Sequence, residues 1–338
     1  MSPTSTSLRA AIVGAGLMGR WHAHAIQRIG GRVVAIIDQD LERATALASR
    51  IPGRPAPETA VGHALRAHAV EVLHVCTPLS THEPIAREAI DAGAHLLVEK
   101  PLAGDAGAVE RLHAAATARG VLLCPIHQFI YQAGILRLQR ELPSLGQVRQ
   151  LDVVACSAGA DGGTDAQREQ VALDILPHGL ALGRRLLGAP FASATWHVSD
   201  GPAGELRAIG EFGETSVLLS VSMRARPTEN SLVLRADLGS VRANLFHGFA
   251  TVERGSPSRR DKVLRPLAGS ALTLGVATGN LLRRAVRGES AYPGLRELVR
   301  RFHLAVAREG TIPITVAESI DVARARDIIA LARANDRR

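Results

Sequence analysis

Lysine is nearly absent from this sequence of 338 residues, which has 38 arginines but only two lysines, Lys100 and Lys262. Arginine supplies positive charge almost everywhere, so a lysine marks a position where arginine would not serve. Lys100 directly follows an apolar run and Glu99, and Pro101 comes next, which is typical of the end of a buried strand. An ammonium group is compact and changes its pKa when partly buried, whereas a guanidinium stays charged. Lys100 is thus a candidate for proton-linked chemistry, the alternative being an ordinary surface cation.

Aromatic residues, cysteines and long hydrophobic runs are also scarce. Only ten aromatic residues occur, which argues against a base-stacking surface for single-stranded nucleic acid. The cysteines Cys76, Cys124 and Cys156 fit no zinc-site spacing, so we expect no metal and three free thiols in a reducing cytoplasm. The most apolar stretch, residues 267–282, is interrupted by glycines and too short to span a membrane. Residues 1–7 lack the pattern of a signal peptide and are predicted to form a short disordered tail.

Positive charge is concentrated near the end of the sequence. Residues 251–338 hold 17 basic and 9 acidic residues, which is the entire formal excess of +8. This excess indicates either a solvated arginine-rich surface or a basic rim that attracts an anionic substrate. Arg283, Arg284 and Arg287 form its tightest cluster. No recognition motif accompanies the charge, so we expect no nucleic-acid partner.

Residues 1–126 alternate between short β-rich runs and helical segments. We predict strands at 8–13, 33–37, 72–76, 95–98 and 121–126, with helices at 18–29, 41–49, 84–92 and 106–119. Such alternation indicates βαβ units, and therefore a doubly wound parallel sheet with helices on both faces. The α/β fold class and a Rossmann-type first domain follow from this pattern.

Residues 127–338 follow a different pattern and are predicted to form a second, α+β domain. Strand candidates at 148–156, 194–198, 205–212, 216–222, 231–236 and 241–243 are separated by turns rather than helices. This arrangement favours a large open sheet that is mostly antiparallel. We expect one helix at about 177–187 and two closing helices at 294–308 and 316–334, the last able to pack back on the first domain.

A glycine-rich turn between the first strand and the first helix predicts a dinucleotide site. The residues expected to contact the cofactor there are Gly14, Gly16, Leu17, Met18 and Gly19. In this context the glycines permit a tight turn and a close approach of the backbone to a pyrophosphate at the helix N-terminus. Asp38 ends the second strand, where a carboxylate accepts the ribose hydroxyls of NAD. Arg43 follows closely in the sequence, and because an arginine there can hold a 2′-phosphate, NADP remains an alternative cofactor.

The motifs together resemble the glucose–fructose oxidoreductase, inositol dehydrogenase and rhizopine catabolism (Gfo/Idh/MocA) family. The segments that match are AIVGAGLMG (11–19), VVAIIDQD (33–40), VCTPLSTH (75–82) and VEKP (98–101), with a looser match over 170–188. The resemblance implies an N-terminal Rossmann domain and a C-terminal open sheet with the substrate site. It also implies hydride transfer between a nicotinamide cofactor and a hydroxyl or carbonyl carbon.

The resemblance assigns roles to two loops of the first domain. Glu99 and Lys100 correspond to the catalytic-lysine motif, in which Lys100 hydrogen-bonds the reacting oxygen and Glu99 lies by the cofactor. The bond from Lys100 to the following proline is then expected to be cis. Thr77, Pro78 and His82 match the loop that passes beside the cofactor.

In the second domain the resemblance points to one helix and one polar pair. Asp174 and His178 match the family pattern and are predicted catalytic residues, with His178 taking the hydroxyl proton. Two family positions differ here, being Leu176 and Ala181. Pro177 is expected to begin the helix, with Asp174 before it.

His127 and Gln128, after the last strand of the first domain, are substrate candidates by the same resemblance.

The sequence therefore predicts an NAD-dependent oxidoreductase, with NADP left open, acting on a sugar-like molecule or an anionic sugar derivative. Two alternatives remain within the same family, namely a hydrolase or isomerase that oxidises its substrate transiently, and a cofactor-binding regulator without catalysis. We expect a cytoplasmic homodimer or homotetramer, assembled through the C-terminal sheet, with no membrane partner.

Overall fold

The computed structural model describes residues 8–199, 201–255 and 259–336; the predicted N-terminal tail at 1–7 lies outside them. The chain divides into two compact units. The described part of the first contains residues 8–127 and Leu295–Ala323, and the second contains Gln128–Gly294 and the residues from Arg324 onward. Each unit has its own sheet.

The first unit is built on a parallel sheet of six strands. Their order is β3-β2-β1-β4-β5-β6, and every neighbouring pair is parallel. The strands are β1 (Arg9–Val13), β2 (Arg32–Ile37), β3 (Ala56–Glu58), β4 (Val72–Val75), β5 (His95–Val98) and β6 (Leu123–Pro125). This order reverses at β1 and β4, and in open α/β sheets ligands bind beyond the carboxyl ends of the strands at such a point. The predicted Rossmann fold is confirmed.

Helices connect these strands and enclose an apolar core. They are α1 (Leu17–Arg28), α2 (Leu41–Ala48), α3 (Val61–Ala67), α4 (His82–Asp91) and α5 (Ala106–Arg119). The central strands are buried on both faces, as in β4, where all four residues are inaccessible. Such strands read as continuous apolar runs, which is why the sequence predicts them well.

A later helix also belongs to the first unit. Helix α9 (Leu295–Val306) buries Leu298, Val299 and Phe302 and packs against α1. The first unit thus includes residues 295–323, which the sequence assigned to a second domain at 127–338. The amphipathic pattern of α9 shows that one face is buried but not which sheet buries it.

The second unit contains a mixed sheet of seven strands in the order β13-β12-β11-β7-β10-β9-β8. Only β7 and β10 pair in parallel, and the other neighbours are antiparallel. The strands are β7 (Val148–Cys156), β8 (Thr195–Ser199), β9 (Glu205–Phe212), β10 (Thr215–Ser222), β11 (Glu229–Ala236), β12 (Gly239–Asn244) and β13 (Phe249–Arg254). The prediction of a mostly antiparallel second sheet is confirmed, although β13 was not predicted.

The helix that packs on this sheet is longer than predicted. Helix α7 (Asp165–Leu187) continues through Pro177, so the expected start at the proline is wrong. Thr164 caps the helix and exchanges side-chain bonds with Gln167 in a capping box, which fixes the start twelve residues earlier. Asp174 therefore lies within the helix.

The remaining α-helices of the described residues are α6 (Ala133–Glu141), α8 (Arg259–Arg287) and α10 (Val316–Asp336). The glycine-interrupted stretch 267–282 lies inside α8. Among the described residues, no helix combines the length and the apolar character that a bilayer crossing requires.

Candidate functional site

The glycine turn after β1 has the geometry of a phosphate cradle. Gly14 has φ +98°, and a Cβ there would lie 2.5 Å from the Cys76 carbonyl oxygen. A Cβ on Gly19 would lie 1.9 Å from the Gly14 carbonyl oxygen, so the first turn of α1 packs directly on the loop. At Gly16 the nearest atom to such a Cβ is an Arg43 guanidinium nitrogen, 3.6 Å away. The loop is therefore closed on the protein side and open before the N-terminus of α1, which fits a dinucleotide pyrophosphate.

Asp38 lies against this turn, at the end of β2. One carboxylate oxygen accepts the Ala15 N–H at 2.8 Å and the other accepts the Asp40 N–H at 3.1 Å. These bonds fix the carboxylate beside the glycine loop, where further lone pairs remain for ribose hydroxyls. The exposed Arg43 side chain reaches the same neighbourhood, so the two groups predicted to discriminate NAD from NADP lie together.

His82 connects the two loops predicted to frame the cofactor. Its buried ring places Nδ1 2.8 Å from the Pro101 carbonyl oxygen and Nε2 2.8 Å from the Thr77 carbonyl oxygen. Each carbonyl oxygen can accept an N–H from the nitrogen that faces it. Both ring nitrogens face backbone carbonyls, and we expect His82 to act by holding these loops rather than by touching the cofactor.

Lys100 follows the end of β5 and is half-buried, and the peptide bond from Lys100 to Pro101 is cis, as predicted. The Lys100 N–H donates to a Glu99 carboxylate oxygen at 3.2 Å. The other Glu99 oxygen lies 3.2 Å from Nε2 of His22, on α1. Burial alone raises the pKa of Glu99, but the hydrogen bond and charge of His22, with the charge of Lys100, outweigh it and leave that pKa below its usual value. Glu99 is thus ionised, next to Lys100, at neutral pH.

The second unit contains the other predicted catalytic residues, both on α7. The half-buried His178 ring stacks on Phe129, with 4.5 Å between centroids. The ring also lines a small cavity between α7 and the sheet, together with Val153, Leu219 and Asn230. His178 thus faces the sheet at a cavity wall.

Asp174 makes different contacts, one turn earlier on α7. Its carboxylate accepts from the Gln170 amide at 2.9 Å and from the Arg326 guanidinium, on α10, at 3.5 Å. Arg326 is buried, which the sequence did not indicate, because no motif marks a cation 152 positions away. Asp174 therefore anchors α7 to α10, and its catalytic role stays a prediction.

The two positions that differ from the family pattern point into the core. Leu176 and Ala181 are both buried on the helix that covers the sheet. An acid at position 181 would be buried. The altered residues therefore contribute to packing in this chain.

The polar pair after β6 is buried. His127 ends the first unit and Gln128 begins the second. Within the described residues, the Gln128 side-chain oxygen accepts no hydrogen bond. A buried acceptor of this kind costs free energy unless a ligand or water supplies a donor. This observation supports Gln128 as a substrate contact, which remains a prediction, as does the role of His127.

Known proteins resemble this chain in sequence. Residues 8–127 match the GFO_IDH_MocA model, described as an oxidoreductase family with an NAD-binding Rossmann fold. The match confirms the resemblance drawn from the four motif segments. Inositol 2-dehydrogenase 4 of Saccharopolyspora erythraea is 33% identical over 190 residues, which are 55% of this chain and 55% of that protein. The chain thus matches about half the length of this curated relative.

Solved structures resemble it in fold. GenD2 from gentamicin A biosynthesis, crystallised with NAD, has a TM-score of 0.77 and 24% identity, covering 99% of this chain and 96% of GenD2. The WlbA dehydrogenase of Bordetella pertussis, in complex with NADH and UDP-GlcNAcA, has a TM-score of 0.78 and 18% identity, covering 99% and 98%. At these identities the likeness shows a shared fold.

Proposed function

We propose that this chain, whose residues 8–127 match the Gfo/Idh/MocA oxidoreductase family, transfers hydride between NAD and a carbinol or carbonyl carbon of a sugar-like substrate. The observation that most supports this activity is Lys100, a half-buried ammonium beside the ionised Glu99 in the NAD-binding unit. An ammonium group at the end of a Rossmann strand is suited to donate a hydrogen bond to the reacting oxygen of a substrate.

The residues that would hold the cofactor all lie in the first unit. The glycine turn receives the pyrophosphate at the N-terminus of α1, and Asp38 receives the ribose hydroxyls. Thr77 and Pro78 lie in the loop that His82 ties to Pro101. When bound, the nicotinamide ring supplies the hydride acceptor, which the protein side chains lack.

In the proposed oxidation, the substrate hydroxyl loses its proton as the carbon loses hydride. His178 takes the proton, because an unperturbed imidazole titrates near neutral pH. The Lys100 ammonium donates a hydrogen bond to the oxygen and stabilises its developing negative charge. Lys100 and His178 lie in different units, so their joint action is part of the proposal.

The substrate class rests on the relatives, whose names include inositol and a UDP-sugar ligand. The basic excess near the C-terminus gives weaker support for an anionic derivative than the sequence suggested. The buried Arg284 donates to the carbonyls of Glu289, His247 and Ser290, so it is unavailable to steer a substrate. Arg326 and Arg333 form ion pairs with Asp174 and Glu169. We therefore favour the solvated-surface interpretation of the remaining charge.

The proposed activity is tested by mixing the protein with NAD and a panel of inositols, hexoses and UDP-sugars while following NADH absorbance. Net NADH formation with at least one class supports the oxidoreductase. A hydrolase or isomerase with transient oxidation would convert its substrate without net NADH. A regulator would bind NAD and convert none of the panel.

We also propose that two or four copies associate through the open face of the second sheet. Ile209, Leu218 and Val233 lie in one cross-strand row on the face opposite α7, on either side of Asp152. Ile209 is 45% exposed, and a self-complementary apolar patch is typical of a two-fold interface. Light scattering of the wild type and of Ile209→Arg tests this assembly. The three free cysteines agree with a reducing compartment, and the cytoplasm stays a prediction.

A further inference from the structure

Three histidines of the first unit form a continuous buried row behind Glu99. We call His22, on α1, His74, on β4, and His303, on α9, the histidine row. His22 Nδ1 lies 2.8 Å from His74 Nδ1, and His74 Nε2 lies 3.2 Å from His303 Nε2. The far end is the bond from His22 Nε2 to Glu99 at 3.2 Å. His22 and His74 are fully buried, and His303 and Glu99 nearly so.

The position of His74 indicates that the side chain does more than fill space in the core. It lies in the middle of a central parallel strand, between Leu73 and Val75, where apolar side chains are the rule. Burying an imidazole there is unfavourable unless its nitrogens are hydrogen-bonded. Both are, which indicates that the row is maintained for its hydrogen bonds.

The charge state of the row limits how its protons are arranged. Burial first, and then the charges of His22 and His303, hold the pKa of His74 well below its usual value. Burial, followed by the charge of His22, lowers the pKa of His303 to about 4. Both rings are therefore neutral at neutral pH, with one N–H each. The other titratable groups beside Glu99 are Lys100, whose charge lowers the pKa of Glu99, and the Cys76 thiol, whose pKa is raised by burial and then by Glu99.

The direction of the last bond follows from the acceptor. A carboxylate oxygen only accepts, so His22 Nε2 carries a proton and donates it to Glu99. If His22 Nδ1 carries no proton, it accepts a hydrogen bond from His74. If it is protonated, it donates to His74, and the hydrogen bonds of the row run in the opposite direction. In both arrangements His74 gives the buried Nδ1 of His22 its partner. Removing His74 leaves that nitrogen unsatisfied and the ring of His22 no longer fixed.

We propose that the histidine row positions Glu99, and through it Lys100, for hydride transfer; this rests on the proposed function for its catalytic consequence. His22 fixes one Glu99 oxygen, and the other accepts the Lys100 backbone N–H. The row thereby connects α9 and β4 to the segment that presents the lysine. His74 and His303 are positioning residues that act through His22 and Glu99.

The test compares His74→Leu with His74→Gln. Leucine removes both hydrogen bonds, whereas the glutamine amide donates and accepts without titrating. We expect His74→Leu to lower kcat about tenfold with little change in the KM for NAD, since the lost bonds include the one that orients His22 toward Glu99. His74→Gln should recover most of kcat and the wild-type pH profile. The control is His113→Leu, another buried histidine, bonded to Ser319 in the same unit but outside the row; it should retain kcat.

A second readout needs no turnover. Because the chain has only two lysines, ¹⁵N-lysine labelling yields one Lys100 amide signal, identified by its persistence in Lys262→Arg. The Lys100 amide proton should move upfield in His74→Leu and stay in place in His74→Gln and His113→Leu. If the wild type transfers no hydride, the proposed function fails while this signal still tests the row.

Two results would overturn the positioning role. The first is a folded His74→Leu protein with wild-type kcat and an unmoved Lys100 amide. The second is a folded His74→Gln protein as impaired as His74→Leu, which would mean that the row must titrate, as in proton conduction.

Discussion

At Lys100, the difference between an ammonium and a guanidinium decides the proposed chemistry. Lys100→Arg should lower kcat by orders of magnitude and leave NAD affinity nearly unchanged, because a planar guanidinium cannot replace a compact donor with an adjustable pKa. Steady-state kinetics and NAD titration measure the two effects. Lys262→Arg, the same change at the only other lysine, is the control. Wild-type turnover of Lys100→Arg would refute the proton-linked role.

Asp38 should determine the choice between the two nicotinamide cofactors. Its carboxylate is fixed by two backbone N–H groups at the place where a 2′-phosphate would be repelled. We therefore expect NAD to bind more tightly than NADP, and Asp38→Ser to reduce or reverse that preference. Equal affinity of the wild type for both cofactors would mean that Arg43 dominates the pocket.

His178 should set the pH dependence of the oxidation. A general base must be deprotonated, so the rate should rise with pH through the neutral range. His178→Asn should flatten this rise and lower the rate by roughly 10²–10⁴. The pH–rate profiles of both proteins provide the measurement. An unchanged profile in the variant would assign the proton to another group, His127 being the next to test.

At the scale of secondary-structure elements, the stability of helix α7 depends on the cap that Thr164 provides at its N-terminus. Thr164→Ala removes the capping bond to the Gln167 N–H and should lower the free energy of unfolding by about 1 kcal/mol. Thr164→Ser keeps the hydroxyl and should lose less. Urea unfolding measures both, and equal stability of the alanine variant and the wild type would contradict the capping role.

The elements that the sequence predicted well are continuous apolar runs, alternating strands and long helical segments with clear boundaries. The ranges 95–98, 106–119, 148–156 and 205–212 agree with the structure at both ends. Strand β3 and helix α3 were not predicted, because their lengths of three and seven residues are too short to show a periodic pattern. The prediction for the start of α7 relied on Pro177 and did not use the capping pair Thr164 and Gln167, although the sequence contains both.

The candidate site shows the same limit, since the sequence reveals local patterns but not distant partners. The glycine turn, Asp38 and the Lys100 motif are local signals in the sequence, and their roles stay predictions. The partners of Asp174 and Glu99 are distant in sequence, so Arg326, His74 and His303 had no local pattern to mark them.

At the scale of the whole molecule, buried neutral histidines should make the protein sensitive to acid. Burial lowers the pKa of His113 to about 4, and burial and then the charge of His22 lower that of His303 equally far. In the unfolded chain their pKa is about 6.5. The unfolded state therefore binds more protons between these values, and the free energy of unfolding decreases as pH falls from about 6.5 to 4. Unfolding followed across this range should show a shallower decrease in His113→Leu than in the wild type. Identical slopes would contradict the assignment.

The central claim is that carbon-bound hydrogen moves as hydride from a sugar-like substrate to NAD. The most direct measurement is a single turnover with a substrate, found in the NADH screen, that contains deuterium at its carbinol carbon. We predict that mass spectrometry shows one deuterium in the recovered NADH, and that Lys100→Arg produces little of this labelled NADH. Substrate oxidised while the deuterium appears in water, with none in the cofactor, would contradict hydride transfer.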